Sequence, residues 1–560
     1  MSVRNGIVLL VALSTLLFLA ACANNGTSIA TPVAPPSGSF SNSNLNGTYV
    51  FSISGSDVNG APYAMVGTFT ANGSGGTGKG GITGGTLDIN DGTSSQFSAP
   101  VAGVSINNNS TYSVGPDGRG EAVIGTNITS GTPGVTFPNL TFDFVLTDSS
   151  HGLITEFDSF GTGSGTLDLQ AANPTPTGAY AFSLSGASGT SSWAAAGNFN
   201  VSGGTISSGL EDINEAALVN FNAESVTGTL ALGPSTNPTT TLITSTFPSG
   251  MLFDAVAIDA THLKFIEMDT TATLSGDVYS QTSAALPTGT MAFTLAGLLG
   301  AGSAGVPFAS GGFMTNSASG AVTGTEDYND GGSLSSATAP GSFGATFAAA
   351  GTGRYTLGSF TTFVPGNPTY VAYPSSGGLL LLESDDAGIA VGAAYPQTAG
   401  ATLAVSQGYG MNLSGIFLGS SATEQPPAEV DDIAEFTTAS GGTITGIIDE
   451  NSDSSNGPTL GIALSSGTYG AIDSNGRYGV SAAAVNNNTG AGTLLGGFNL
   501  TAYAVDGTTF PFIESDSGQV SAGVIVLQNP SASGAAIAHS RMFVVRPLIR
   551  PHAASKKKPK

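Results

Sequence analysis

Between residues 45 and 530 the chain alternates apolar and polar positions in short runs of four to eight residues, broken by glycine-rich punctuation. "YVFSIS", "TLDIN", "TYSVG", "LTFDFVL" and "LITEFD" are rich in Val, Ile, Thr, Phe and Tyr and carry the period of two of a half-buried strand. Turn-formers such as "GPDGRG" and "DSNGR" separate them. No stretch of this body has a helical period. The pattern predicts an all-β protein.

The pattern also repeats. An opening G-x-Y-x-F-x-x-x-G occurs from Gly47 and Gly178, with Met in place of Tyr from Gly289, and from Gln407 with the first Gly lost. A second motif, G-x-x-D-x-N, places Asp88 and Asn90, Asp212 and Asn214, Asp327 and Asn329, and Asp449 and Asn451. A third, E-x-D-x6-G-x4-Q, places Glu156 and Asp158, Glu267 and Asp269, Glu383 and Asp385, and Glu514 and Asp516 at unvarying spacing. Four copies in one order define four units, expected at 45–172, 173–284, 285–400 and 401–530. About eight strands in each predict an antiparallel meander, which loses its edges by closing into a barrel; a two-sheet sandwich is the alternative. The G-x-Y-x-F start resembles the first strand of lipocalin and avidin-type barrels, which begin G-x-W, although Trp is absent from it in every copy here.

Composition then sets the compartment. Arg4 precedes the apolar run "IVLLVALSTLLFLA", which is shorter than the ~20 residues of a membrane span, and "LAAC" ends at Cys22. This resembles the bacterial lipobox, and Cys22 is the one cysteine of the chain. The resemblance implies a signal peptide over residues 1–22 that is cut just before the Cys, lipidation of Cys22 as the new N-terminus, export, and a lipid anchor in the cell envelope, with the outer membrane as the expected site. Residues 23–44 read as a flexible tether. Residues 531–560 form a tail with seven of the 13 basic residues, leaving Lys79, Arg119, Lys264, Arg354 and Arg477 against 37 acids in the body. The tail reads as solvated and disordered, or as a contact for an anionic envelope polymer. So acidic a body makes nucleic acid an unsuitable partner.

The Glu and Asp of the third motif stand two apart on a strand, on one face, with Cα atoms ~6.5–7 Å apart. Carboxyl separations of ~6.5–9.5 Å serve inverting glycosidases. Four equal sites in one chain and a single Trp argue against that use. His151 and His262 have Gly378 and Thr509 at the matching positions, which argues against a catalytic base. The structural reading has Glu and Asp accepting hydrogen bonds from the following turn or pairing with Arg, while the Gly permits a turn or close approach and the Gln ends the last strand. If the D-x-N and E-x-D motifs meet at one barrel end, their oxygens could instead hold calcium. The expectation is a non-enzymatic, cofactor-free surface protein of four modules, acting as a spacer, adhesin or interaction surface toward envelope polymers or surface proteins. It resembles repeat-built bacterial surface lipoproteins. Ligand- or calcium-binding modules are the alternative, and a polysaccharide-acting enzyme comes last.

Overall fold

The computed structural model describes residues 32–531 except 59, 75–77, 93–99, 129–138, 189–190, 216–218, 231–238, 245–250, 271, 301–304, 336–339, 359–367, 419–427, 453–457 and 486–496. Cys22, the signal segment and the basic tail beyond residue 531 lie outside the described residues. Among the described residues, apart from one 3-10 turn, Asn42–Asn44, every element is a β-strand. No described helix is long and apolar enough to cross a membrane, which leaves strands unaddressed.

Four antiparallel meanders follow one another, at 46–169, 178–280, 289–396 and 408–527. The second and fourth are closed eight-stranded barrels. In the first and third, pairing of the second strand with the third closes the same ring of eight, and a short extra strand, Val101–Ile106 or Ser333–Leu334, hangs from the third strand. Closure removes the free edges that a meander would otherwise expose. The sandwich alternative is therefore set aside.

Each barrel interior is filled by its own cluster of side chains: Tyr49, Phe51, Phe69 and Phe142 in the first, Phe182, Phe199, Phe253 and Phe265 in the second. Met291, Phe293 and Leu381 occupy the third, and Tyr409, Phe436 and Phe512 the fourth. The Gly of E-x-D-x6-G makes the narrow bore feasible. A Cβ on Gly165, Gly276, Gly392 or Gly523 would lie 1.6–2.1 Å from a carbonyl oxygen of the first strand. These glycines allow close approach within the sheet, not a turn.

The seventh strand of each barrel is buried on both faces. Leu379 and Leu381 point into the third barrel, while Leu380 and Leu382 join an apolar cluster outside it with Ala181, Tyr279, Tyr503 and Ala522 of the second and fourth barrels. Val145 and Leu153 likewise meet Ile433, Val524 and Val526 of the fourth barrel, and Ala64 and Val66 meet Ile266 of the second. The outer faces of the barrels are thus core to one another.

The expected flexible tether is corrected in part. Phe40 packs into the first barrel's core at 3% exposure. The Asn42 side chain donates to the Gly78 carbonyl at 2.6 Å and accepts from the Val114 N–H at 2.7 Å. Ser37 and Asn44 donate to the carbonyls of Gln528 and Pro530. An aromatic residue among small polar ones was enough to order the segment's last part.

Candidate functional site: four joints built from the repeat motifs

Each seventh strand ends on its motif Glu: His151–Glu156, His262–Glu267, Gly378–Glu383 and Thr509–Glu514. The Asp two residues on therefore lies in the turn beyond the strand. There it ties backbone together. Asp158 accepts from the N–H of Phe160 at 2.6 Å and of Thr141 at 2.7 Å, Asp269 from Leu252 at 2.8 Å, Asp385 from Thr369 and from Ala387 at 2.9 Å, and Asp516 from Gly518 at 3.0 Å. The Glu carboxyls are sealed from solvent. Burial, reinforced by the adjacent Asp charge, pushes Glu267 up to about 9 and raises Glu156, Glu383 and Glu514 well above the usual carboxylate range. At neutral pH Glu267 is a neutral acid.

The two acidic motifs do meet, but between barrels. Asn90 of the first barrel donates through Nδ2 to the carbonyls of Glu267 (2.8 Å) and Ala272 (3.0 Å) in the turn of the second. Asn214 donates to Glu383, Asp385 and Gly388 of the third at 2.9, 3.1 and 2.9 Å. Asn329 reaches Glu514, Asp516 and Gln519 of the fourth at 3.2, 2.9 and 2.7 Å. Asn451 of the fourth returns to Glu156 and Gly161 of the first at 2.8 and 2.9 Å. The motif Gln, one residue past each last strand, repeats the connection: Gln170 to Ala257, Gln281 to Pro374, Gln397 to Asn475 and Ala504, and Gln528 to Asp117 and Leu146. First joins second, second third, third fourth, and fourth first: the four barrels form a closed ring.

Arginine is placed differently from expectation. It pairs with the Asp of D-x-N in the preceding barrel, not with E-x-D. Arg354 grips Asp212 through Nε (2.7 Å) and Nη2 (2.6 Å), and Arg477 grips Asp327 at 2.6 and 2.5 Å. Tyr373 and Tyr503 donate to the same carboxylates. Arg119 reaches Asp449 at 2.6 Å and Asp117 at 3.0 Å. The joint between first and second barrels has no arginine. Asp88 there accepts from the Gly103 N–H at 2.6 Å and faces Asp254, whose carboxyl burial and the Asp88 charge push up to about 7. Burial raises Asp88 as well.

Chemically, then, the motif oxygens differ: the Asp carboxylates accept hydrogen bonds, and Glu267 accepts from the Ala272 N–H at 3.1 Å, whereas the buried carboxyl oxygens of Glu156 and Glu383 receive no N–H from a described residue. The turn carbonyls accept from Asn, and the D-x-N carboxylates from Arg, Tyr or backbone. Among the described residues no three His, Cys, Asp or Glu side chains converge as a metal-ligand group. The joints themselves could not be read from single repeats; the one sequence signal was the Leu379–Leu382 run, whose four consecutive apolar residues imply burial on both faces.

No protein-family model matches the chain, and no curated protein matches it. Among solved structures it is similar to the crystal structure of the isotype 1 transferrin binding protein B (TbpB) from serogroup B Neisseria meningitidis, at 10% identity over 68% of this chain and 84% of that one. The TM-score is 0.17, and a superposition so loose carries no argument about function.

Proposed function

We propose that this chain is an exported, lipid-anchored envelope protein that works as a compact interaction body and catalyses no reaction. The observation that carries this reading is the closed ring, in which the turns that bear the E-x-D acids serve as the contacts between barrels. Each barrel interior carries its own cluster of apolar side chains, which favours an interaction body over one ligand per module. A ring of four is also shorter than a string of four, which favours a display surface over a spacer.

The ends of the body support single-point attachment. Ser37 and Asn44, on the path from Cys22, bond to Gln528 and Pro530, just before the basic tail. The two described ends of the body thus lie together at the joint between first and fourth barrels, which supports one attachment point, with the membrane, envelope polymers and surface proteins as partners. Cys22→Ser tests the anchor: the protein should leave the membrane fraction, since no other residue can take the lipid. Unchanged fractionation and mature mass would overturn the reading.

A further inference from the structure

The ring is least symmetrical along its axis. Where barrels two, three and four meet, the outer faces are apolar, with Ala181, Ala292, Leu380, Ala393 and Ala522 in one cluster. Where barrels one, two and four meet there is instead a cleft of about 120 Å³. Its lining combines hydroxyls (Ser52, Ser164, Ser275 and Ser414) with Asn412 and the charged Lys264, Asp277 and Asp168.

The four repeats act as their own controls. Aligned on the motif Glu, Lys264 corresponds to Leu153, Leu380 and Pro511, and Asp277 to Thr166, Ala393 and Val524. Asp168 corresponds to Tyr279, Tyr395 and Val526. The fold therefore needs no charge at any of these places. Lys264 is nevertheless only 2% exposed, with Nζ 2.5 Å from Asp277 Oδ1, and His262 Nε2 lies 2.6 Å from the same oxygen. His151 holds Asp168 through Nδ1 at 2.8 Å. Burying an ion pair where an apolar pair would pack is at best neutral for stability. Its presence in one repeat of four, beside a cleft, points to a ligand.

The lining selects the ligand's chemistry. Two carboxylates disfavour an anion and Lys264 disfavours a cation, whereas the Ser52 and Ser275 hydroxyls and the charged groups offer donors and acceptors side by side, Ser164 being bonded to Asp431 and Asn412 to the Ile154 carbonyl. Hydroxyl groups, each both donor and acceptor, complement such a surface. Ile53, Leu153 and Val524 supply apolar wall for carbon. At ~10–15 Å³ of its space per water, the cleft holds roughly ten waters, room for a small guest of a few carbons. We infer that the axial cleft between barrels one, two and four is a binding site for a small neutral polyol or sugar.

Titration calorimetry of the full chain with glycerol, erythritol and xylose, and with inorganic phosphate, tests this. At least one polyol should bind saturably at millimolar concentration and phosphate should not. The double variant Lys264→Leu, Asp277→Ala installs the residues that repeat three uses. It should fold, and should bind that polyol roughly tenfold more weakly or not at all, the loss expected for one charge-assisted hydrogen bond. Should that variant not fold, Ser52→Ala with Ser275→Ala takes its place with the same expected loss. No saturable polyol binding, binding of phosphate instead, or variants that bind as well as the parent would overturn the proposal.

Discussion

The joint between barrels one and two and the joint between barrels three and four use the same frame and opposite electrostatics. In both, an Asn amide reaches the carbonyls of the neighbour's E-x-D turn. In the second, Arg477 and Tyr503 converge on Asp327; in the first, Asp88 faces Asp254. The difference separates what closes the ring from what reinforces it. Backbone-directed Asn and Gln bonds and apolar faces are common to all four joints, whereas the Arg–Asp pair is an addition that three joints carry and one does without.

The largest contrast should come from removing charge. Arg477→Ala leaves Asp327 buried without its cation, and a cost of about 3–5 kcal/mol is expected in denaturant unfolding. Asp88→Ala at the unreinforced joint should cost far less, or stabilise, because it relieves the repulsion felt by Asp254. Equal losses would show that the two joints are not electrostatically distinct.

Breaking the shared frame should have a middle-sized effect. Asn329→Ala strips three carbonyls of their donor and Asn90→Ala strips two. Each should lose about 1–3 kcal/mol, and thermal melts should show the loss in the transition of the whole ring. With calcium or with chelator the melts should coincide, as joints built from N–H donors require.

The pH dependence follows from the acids at the unreinforced joint. An unfolded Asp titrates near ~3.9, and Asp254 in the fold near about 7. The native state therefore binds more protons than the unfolded state through that window, and stability falls as pH rises across it. Asp254→Asn should flatten this part of the stability profile. The raised Glu267 acts in the same direction up to about 9. A smaller gain should come from Val256→Tyr, which places in repeat two the residue that repeats three and four use to donate to the preceding Asp. About 0.5–1.5 kcal/mol of stabilisation is expected; no gain would mean that Asp88 is out of a tyrosine's reach.

Much of the fold was legible because its signals are local. The period of two gave strands, the fixed spacing of Glu, Asp, Gly and Gln gave four units, and the turn chemistry gave a meander. The role of Asp158 and its counterparts in capping the turn was legible for the same reason. What single-repeat reasoning missed is relational. Asn90 and Glu267 are 177 residues apart in sequence, and nothing in either motif says that its partner belongs to the next copy. Independent modules on a string were expected because alternation was read as one wet face. Yet Ala181, Ala194 and Ala196 point outward and are buried, being small enough for another barrel to pack against them.

The most direct test of the ring is whether its first and last barrels touch. Asn412 Nδ2 lies 3.3 Å from Ser164 Oγ across that joint. In a Cys22→Ser background the chain has no other thiol, so Ser164→Cys and Asn412→Cys can be paired and read on a non-reducing gel and by mass. The ring predicts that a short bis-maleimide, which spans the pair without the strict geometry of a disulfide, links the two thiols within the folded monomer and links nothing within either single variant. A double variant whose two thiols stay unlinked, or which links only between molecules, would contradict closure and return the protein to four barrels on a string.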